Sequence, residues 1–400
     1  MTQAPVVDEK KQLAESWNIA GVWMATHCGP GCAAGTQACL YFIVMGGYLG
    51  VYWAFLSMVI LGIIYFFGSE MSRLTGKRTY QERFRVMWGD KVATALWWLV
   101  DITTIYGTIV AFSSIFAGAN AVFQMFLGTP IIVGGLVIAV VGTFLCFFGG
   151  EFMAKINGIL TVALITTIMI SAGVVLAANP GAIGEILSSK WTSDGNPVSV
   201  WSGINGIITY IGIQIGFNTN CSVVAQKLYR RKDTRNFIII GTILNGAMVG
   251  FITLAMFCYV PEVITEGIPF LYAIQHAGPS WFSWFYFILY VIALISTVIS
   301  MSYNIGARFG PMLNKVAKKL SANTCIGLST AIITVISLFI SLAGILAIVA
   351  VGYNISSKLN TFLWTIPMCI IVPYKVYKWR KEELAGKRTV DPEGNVTVEA

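Results

Sequence analysis

The chain has 400 residues, of which 56% are hydrophobic and only 11% charged, and a soluble domain of this length needs more charge to cover its surface. A net charge of +8 would suit nucleic acid, but the Lys and Arg residues gather in short segments between long apolar runs, which excludes a continuous nucleic-acid surface. Only helices and closed barrels satisfy their backbone inside a bilayer, and apolar runs of about 20 residues favour helices. The composition therefore predicts an all-α polytopic membrane protein.

The apolar runs predict ten membrane spans in two groups of five. A tail at 1–17 precedes the first group at 18–178, and a polar external linker at 179–198 separates it from the second group at 199–375. A tail at 376–400 follows, and its polar stretch from Trp379 to Ala400 is expected to be disordered. The predicted spans are 18–46, 48–71, 91–127, 130–149, 150–178, 199–227, 235–260, 281–308, 323–342 and 344–375.

The basic residues predict how these spans are oriented. Of the 26 Lys and Arg residues, 24 fall on one side of the membrane if every run spans, and only Lys190 and Lys358 do not. By the positive-inside rule that side is the cytoplasm, so we expect a protein of the cytoplasmic (inner) membrane with both termini inside. The expected macromolecular partner is the lipid bilayer, with weak contact between the basic segments and anionic lipid.

The connections between spans repeat in the two halves. In the first half a connector of about twenty residues, 72–90, separates the second and third spans, and the connections after it are very short. The second half has the same pattern, with its long connector at 261–280. Because each half has an odd number of spans, the second half must enter the bilayer from the opposite face. A 5+5 inverted repeat of this kind is typical of secondary transporters.

The first span of each half carries a polar, glycine-rich interruption near its middle. Residues 26–37 read THCGPGCAAGTQ, and the three glycines and one proline between 29 and 35 cannot hold a regular helix. Residues 210–221 read YIGIQIGFNTNC, with two glycines and four polar side chains in an otherwise apolar run. In inverted-repeat transporters, interrupted helices at corresponding positions of the two halves bind the solute and the coupling ion through freed amides and carbonyls.

The interruption in the first span resembles the opening motif of a known family. The run GPGCAAGTQ at 29–37, followed by Tyr41-Phe42 and Gly46-Gly47, resembles the GAGFASGQE…FF…G opening of the YkvI-like permeases, in the amino acid–polyamine–organocation (APC) superfamily. This resemblance implies the LeuT fold, with the first and sixth helices broken at the midplane. It also implies a permease for a small organic solute, with an amino acid as the first candidate.

The resemblance to LeuT-fold proteins further implies an ion site. Residues 293–297, ALIST, look like the sodium signature in the eighth helix of sodium-coupled transporters, which faces carbonyls at the first-helix break. Hard oxygen ligands of this kind suit Na⁺, although Ser and Thr in spans also commonly bond their own backbone. The implied Na⁺-binding residues are Ala25, Cys28, Ala293, Ser296 and Thr297.

The substrate is expected between the two interruptions. Amides exposed from Gly29 to Gly35 would bind a carboxylate, and carbonyls around Gly212 to Gly216 would bind an amine. Tyr106 in the third span is placed to face the same cavity. The predicted substrate-binding residues are Gly29, Gly31, Cys32, Gly35, Thr36, Gln37, Tyr106, Gln214, Gly216, Phe217 and Asn218.

Two charges inside predicted spans leave another coupling scheme open. Asp101 lies in the third span and Lys358 in the tenth, and an unpaired charge at that depth costs at least about 2.5–3.5 kcal/mol. The two side chains could meet as a gate latch or as a proton-linked pair, which would make transport proton-coupled or uncoupled.

A soft-metal transporter is a further alternative, with His27, Cys28 and Cys32 as ligands for Cu⁺ or Zn²⁺. An enzyme is not expected, because the sequence has no nucleophile elbow, phosphate loop or spacing of metal ligands. Beyond Na⁺ or H⁺ as a coupling ion, no cofactor is expected.

Overall fold

The structure is a computed structural model that describes residues 8–27, 29–146, 150–225 and 228–399. Helices form most of this chain. Those of the first half are α1 (Glu9–His27), α2 (Pro30–Ala33), α3 (Thr36–Ala38), α4 (Gly50–Thr75), α5 (Tyr80–Trp88), α6 (Asp90–Leu127), α7 (Val133–Cys146), α8 (Gly150–Ala178) and α9 (Ala182–Ser189). Those of the second half are α10 (Val200–Gln214), α11 (Asn218–Val224), α12 (Arg231–Phe257), α13 (Pro269–Ala277), α14 (Ser280–Val316), α15 (Ala322–Ile340), α16 (Ile345–Ala347), α17 (Asn354–Asn360) and α18 (Ile366–Leu384).

Shorter irregular segments join several of these helices. The π-helical segments are Cys39–Val44, Ile348–Tyr353 and Thr361–Thr365. The 3-10 turns are Gly47–Leu49, Ile215–Phe217, Glu262–Thr265 and Ser341–Ala343. Two short antiparallel strands, β1 (Arg388–Val390) and β2 (Val396–Val398), follow α18.

Six helical stretches in the described ranges are long and apolar enough to cross a membrane: Gly47–Thr75, Asp90–Leu127, Arg231–Phe257, Ser280–Ile299, Asn323–Ala343 and Ile345–Leu384. The pair Val162–Ala178 and Ala182–Ser189, bent by 75°, passes the same test as one span. The remaining predicted spans are the two interrupted ones and the short helix Val133–Leu145. The all-α polytopic architecture expected from the composition is confirmed.

The outward faces of these helices are apolar. Side chains such as Ile243, Phe339 and Val140 are 64%, 66% and 60% exposed on the protein surface. In water such a continuous apolar surface would be unfavourable, whereas lipid tails solvate it at no cost. The exposed surface therefore agrees with a chain that lies in a bilayer.

Each long connector contains a short helix at its corresponding place in the two halves. In the first half this is α5, which begins with a capping box in which Thr79 and Glu82 each bond the other's backbone amide. In the second half it is α13, which begins at Pro269, a residue suited to the first turn of a helix. Each connector helix is hydrogen-bonded to one interrupted span, α5 through Arg83 and α13 through the backbone amide of Phe270.

One end of the bundle gathers both ends of the chain. Glu9 at the start of α1 pairs with Arg230 at 2.6 Å, and Arg73 at the end of α4 pairs with Glu383 of α18 at 2.6 Å. Arg73 also donates to the carbonyl of Tyr229 at 3.1 Å, which joins the two ion pairs into one network. Four of the basic segments that the sequence assigns to one side therefore meet there in space: the N-terminal tail, the first long connector, the segment around Arg230 and the C-terminal tail.

The C-terminal tail is folded through Val398, so the expectation of disorder from Trp379 onward was wrong. α18 continues to Leu384, and β1 and β2 form a hairpin beyond it. Arg388 at the start of β1 donates to the carbonyl of Leu74 at 2.6 Å and to Glu382 at 2.8 Å. These contacts order the tail because they fill acceptors at the end of α4 that α4 itself leaves unpaired.

Candidate functional site

The first span is interrupted between α1 and α3, as the sequence predicts. α1 ends at His27, and α2 is a single turn. The chain then turns at Gly35, whose φ of 80° lies in the left-handed region that favours glycine. The amide of Gly35 bonds the carbonyl of Cys32 at 2.9 Å, so the turn is closed locally.

The second half of the chain holds this interruption from the side of α13. The hydroxyl of Tyr286 donates to the carbonyl of Ala33 at 2.6 Å, and the backbone amide of Phe270 donates to the carbonyl of Ala34 at 2.9 Å. The hydroxyl of Thr36 donates to the carbonyl of Gly267, in the connector at 261–280, at 3.1 Å. The carbonyls of Ala33 and Ala34 are thus bonded to α14 and to the connector at 261–280.

The sixth span is interrupted more mildly. α10 ends at Gln214 and α11 begins at Asn218, with one 3-10 turn between them. The hydroxyl of Tyr65 donates to the carbonyl of Gln214 at 2.6 Å, a bond that replaces the regular helical partner. A Cβ added at Gly216 would meet no atom within 4 Å, so there is open space beside the turn.

The two interruptions meet at a buried cavity of about 10 Å³, which is close to the least volume that holds one water molecule. The amides of the two spans join across it, because Gln214 Nε2 donates to Gln37 Oε1 at 3.1 Å. This conformation is closed, since no solute larger than water fits. The cavity is lined by Thr26, His27, Gly29, Gln37, Ala111, Gln214, Thr297, Met301 and Tyr353.

His27 joins α1 to α10 beside this cavity. The side chain is buried, and its Nε2 lies 2.6 Å from the hydroxyl of Tyr210. Asn245 of α12 is a second polar neighbour of the imidazole. Cys32 Sγ lies 3.9 Å from the same Tyr210 hydroxyl, so Cys32 packs behind the cavity and is not part of its lining.

The side chain of Asn218 is turned toward the connector helix α5 and does not line the cavity. Its Oδ1 accepts a hydrogen bond from the Arg83 guanidinium, which also donates to Thr219 Oγ1 at 3.1 Å and to the Gly68 carbonyl at 3.3 Å. Arg83 is fully buried, and burial lowers the pKa of its guanidinium to about 10. It remains protonated at neutral pH, so α5 holds the sixth span through a charged side chain.

One more predicted substrate residue, Tyr106, also lies outside the lining. The hydroxyl of Tyr106 donates to the carbonyl of Gly352 at 3.3 Å, which turns the ring toward the last span. The side chain of Phe217 falls outside the described part of the structure. Gly31 lies next to the site, because a Cβ added there would come within 2.8 Å of Gln37 Nε2.

The residues predicted to bind Na⁺ lie where α14 packs against the first interruption. A Cβ added at Gly29 would lie 3.6 Å from Thr297 Cγ2. The hydroxyl of Thr297 donates to Ala293 O in its own helix at 2.8 Å, and Cys28 falls outside the described residues. The predicted ligands that are described are all buried: Ala25, Ala293, Ser296 and Thr297.

Asp101 and Lys358 are not joined in this conformation. Asp101 accepts a hydrogen bond from the hydroxyl of Tyr80 in α5 at 2.7 Å. Lys358 is exposed on α17, where its long stem can carry the ammonium toward water. Within the ranges given above, no ion pair links the two side chains.

The soft-metal alternative gains no support from the described residues. Among them, no group of three or more His, Cys, Asp and Glu side chains comes together. His27 and Cys32 both lie against one tyrosine hydroxyl, and Cys28 is outside the part of the chain that the structure describes.

Four residues of the lining were not predicted as site residues from the sequence: Thr26, Ala111, Met301 and Tyr353. Alanine and methionine are common in membrane spans, so neither residue type indicates a site. Tyr353 ends a π-helical segment, and the extra residue in such a segment changes which side chains face inward. The interruption of the last span by Gly344 and Gly352 was the available signal.

No family model matches this sequence, and no curated protein matches it. Solved structures do resemble the fold. A Na⁺-coupled sialic acid symporter aligns with a TM-score of 0.63 at 12% identity, over 89% of this chain and 79% of its own. MhsT in complex with L-phenylalanine aligns with a TM-score of 0.64 at 14% identity, over 91% of this chain and 97% of its own.

Mhp1, a nucleobase-cation-symport-1 family transporter, aligns with a TM-score of 0.59 at 14% identity, over 89% of this chain and 77% of its own. At these identities the likeness shows the fold alone. The LeuT fold expected from the sequence is confirmed.

Proposed function

We propose that this protein is a secondary active transporter that moves a small organic solute by alternating access. The observation that carries the proposal is the buried cavity at which the first and sixth spans, both interrupted, meet. One connector helix fastens each of these spans, so the site can open to one side while the other stays closed. We assign the two inverted repeats to 18–178 and 199–375. The similar structures named above are transporters and not enzymes, which favours the same function.

An amino acid is the first candidate for the solute. One of the similar structures holds L-phenylalanine, and the resemblance of residues 29–37 to the YkvI-like permeases points the same way. None of the nine described lining residues is Asp, Glu, Lys or Arg. A zwitterion or neutral solute suits such a lining better than a net charge does, because a buried charge without a partner is costly.

Na⁺ is the proposed coupling ion, bound between the first interruption and the hydroxyls of Ser296 and Thr297. The packing of Thr297 against Gly29 supports this placement, as does the Na⁺ coupling of the sialic acid symporter. Coupling to H⁺ through Asp101 and Lys358 is the alternative, and the separation of the two side chains in this conformation weighs against it.

We further propose that the protein lies in the cytoplasmic (inner) membrane with both termini inside. The network that joins Glu9, Arg230, Arg73 and Glu383 places both ends of the chain at one end of the bundle. That end also holds most of the basic connectors, which the positive-inside rule assigns to the cytoplasm.

The proposal is tested with the purified protein in two steps. Thermal unfolding in detergent is measured with each of the common amino acids, in Na⁺ and in K⁺, because a ligand that binds the folded state raises the midpoint. Each stabilising solute is then tested for counterflow into proteoliposomes. We expect at least one amino acid to stabilise the protein in Na⁺ and to accumulate by counterflow. Failure of every amino acid in both assays would refute an amino acid as the solute, and stabilisation that is equal in K⁺ would refute Na⁺ coupling.

A further inference from the structure

The amide side chains of the two interrupted spans face each other across the cavity. Gln37 lies in α3 and Gln214 is the last residue of α10, and the two side chains are 4% and 1% exposed. A single hydrogen bond of 3.1 Å joins them. Gly31 leaves the space that the Gln37 side chain fills, because a Cβ there would come within 2.9 Å of Gln37 Cγ.

Two side-chain amides carry two carbonyls and two amino groups, and the single hydrogen bond between them uses one of each. Gln214 Nε2 and Gln37 Oε1 form the bond, and Gln214 Oε1 has no partner among the described residues. If both amides were turned over, the unused groups would again be one carbonyl and one amino group. The pair therefore presents one acceptor and one donor beside the cavity, whichever way it is oriented.

The hydrogen bond between Gln37 and Gln214, called the amide bridge below, closes the position that a bound solute has to occupy. The cavity of about 10 Å³ has no room for a solute while the bridge is closed. A solute that separates the two glutamines removes their mutual bond and has to replace it on both sides. A buried amide left without a partner destabilises the complex, so the replacement has to be complementary.

We infer that the solute presents a hydrogen-bond donor and an acceptor side by side, as a primary amide, a ureide or a lactam edge does, to the Gln37–Gln214 pair. The donor N–H of this edge bonds the free carbonyl of one glutamine, and its C=O accepts from the amino group of the other. This inference rests on the proposed transport function and narrows its substrate class to amide-bearing solutes.

Matched pairs of probes separate the effect of the donor–acceptor edge on affinity from the effects of charge and size. Glutamine is compared with glutamate and asparagine with aspartate, since each pair differs only by an amide in place of a carboxylate. The γ-dimethylamide of glutamine keeps the carbonyl and the neutral charge and removes the N–H donors. Hydantoin supplies the same edge without an amino-acid backbone.

The experiment measures the dissociation constant of each probe from the rise of the unfolding midpoint of the wild-type protein. We expect each amide probe to bind at least tenfold more tightly than its carboxylate or dimethylated partner, because sites that bond a polar group discriminate strongly against its loss. Equal affinities within the pairs would overturn the inference. Hydantoin binding would show that the edge suffices without the amino-acid backbone, whereas equally tight binding of leucine would overturn the inference.

A variant makes the assignment to these residues specific. Gln214→Glu keeps the shape and replaces the amino group by an acceptor, so the preference for amide over carboxylate probes should change by tenfold or more. Gln124→Glu makes the same chemical change on the exposed end of α6 and should leave the preference unaltered. An unaltered preference in Gln214→Glu would overturn the assignment.

Counterflow with wild-type protein distinguishes the two levels of failure. If solutes without the edge are transported as well as those with it, the transport function stands and the inference about the edge fails. If no probe of any class gives counterflow, the transport function fails and the inference fails with it.

Discussion

Replacing Gly35 by alanine tests whether the connector at 261–280 closes the site by packing on the first interruption. Gly35 has a φ of 80°, and a Cβ added there would lie 2.6 Å from Met256 Sδ, 3.0 Å from Phe270 Cβ and 3.1 Å from Phe270 N. The methionine can rotate away. The backbone of Phe270 can move only if its amide gives up the carbonyl of Ala34, to which it donates at 2.9 Å.

The size of the effect follows from two terms. A left-handed conformation costs an L-residue about 1–2 kcal/mol, and overpacking of a tight contact costs about 1–3 kcal/mol. Separation of the connector relieves only the overlap, so the variant favours separation by about 1–3 kcal/mol, a factor of roughly 5–150 in the opening equilibrium, whereas the backbone strain lowers the stability of the folded protein whether the site is open or closed. The change should therefore open the site toward α13.

The native residue Cys39 reports this opening. Its side chain is 1% exposed, and its Sγ lies 3.8 Å from the carbonyl of Val263 in the same connector. We expect Gly35→Ala to raise the rate at which a membrane-impermeant maleimide labels Cys39 by about fivefold or more. Mass spectrometry of the Cys39 peptide separates this reaction from labelling of the other cysteines.

Gly128→Ala is the matched control. Gly128 has a φ of 64°, and no atom lies within 4 Å of a Cβ added there, so this variant carries the strain without the overlap. It should lose some stability and leave Cys39 protected. A folded Gly35→Ala protein with wild-type labelling would contradict the reasoning, and so would equal labelling in the two variants.

Three further predictions follow from other contacts. Gly31→Leu should abolish solute counterflow while the protein stays monodisperse, because its side chain would overlap the amide that closes the cavity; wild-type counterflow would exclude a role for this break. Ser296→Ala combined with Thr297→Val should raise the Na⁺ concentration needed for ligand stabilisation by about tenfold, since hydroxyl ligands are lost, and an unchanged requirement would remove the sodium site. Hydrogen bonds from Arg230 lower the pKa of Glu9 from 4.5 to about 2, so stabilisation by this contact is complete above about pH 4.5 and is lost as the pH falls through 2. A carboxyl titration by ¹³C NMR, compared with Glu9→Gln, should place this midpoint near 2, and a midpoint at the ordinary value would show that the ion pair does not form.

The features that the sequence predicts well are those set by local chemistry. Glycine and proline between 29 and 35 exclude a regular helix whatever surrounds them, and the structure has a break there. The apolar runs require a bilayer for the same local reason. Gln37 and Gln214 were both predicted as substrate-binding residues from the two interruptions, and in the structure a hydrogen bond joins them.

Other residues were misplaced because their positions depend on helix rotation and on distant partners. Asn218 lies one turn from Gln214, yet it is turned toward Arg83, a residue 135 positions away in the sequence. Tyr106 bonds the last span, and Asp101 bonds Tyr80 in the connector. No local pattern shows which face of a uniformly apolar helix turns inward.

The polar tail from Trp379 onward is folded, although its own sequence indicates disorder. Its composition is polar and lacks a core of its own, which is typical of disorder. Its order comes from Arg388 and Glu383, whose partners lie at the end of α4, more than 300 residues earlier.

The sequence by itself therefore determined the solvent, the helical class, the two interruptions and the side on which the charges gather, because each depends on composition or on a short run of residues. Only the tertiary structure decided which side chains line the cavity and which hold the connectors against the breaks. The contacts of these side chains depend on the rotation of each helix and on residues far apart in the chain. The sequence of a helix that is apolar on every face does not indicate which face turns inward.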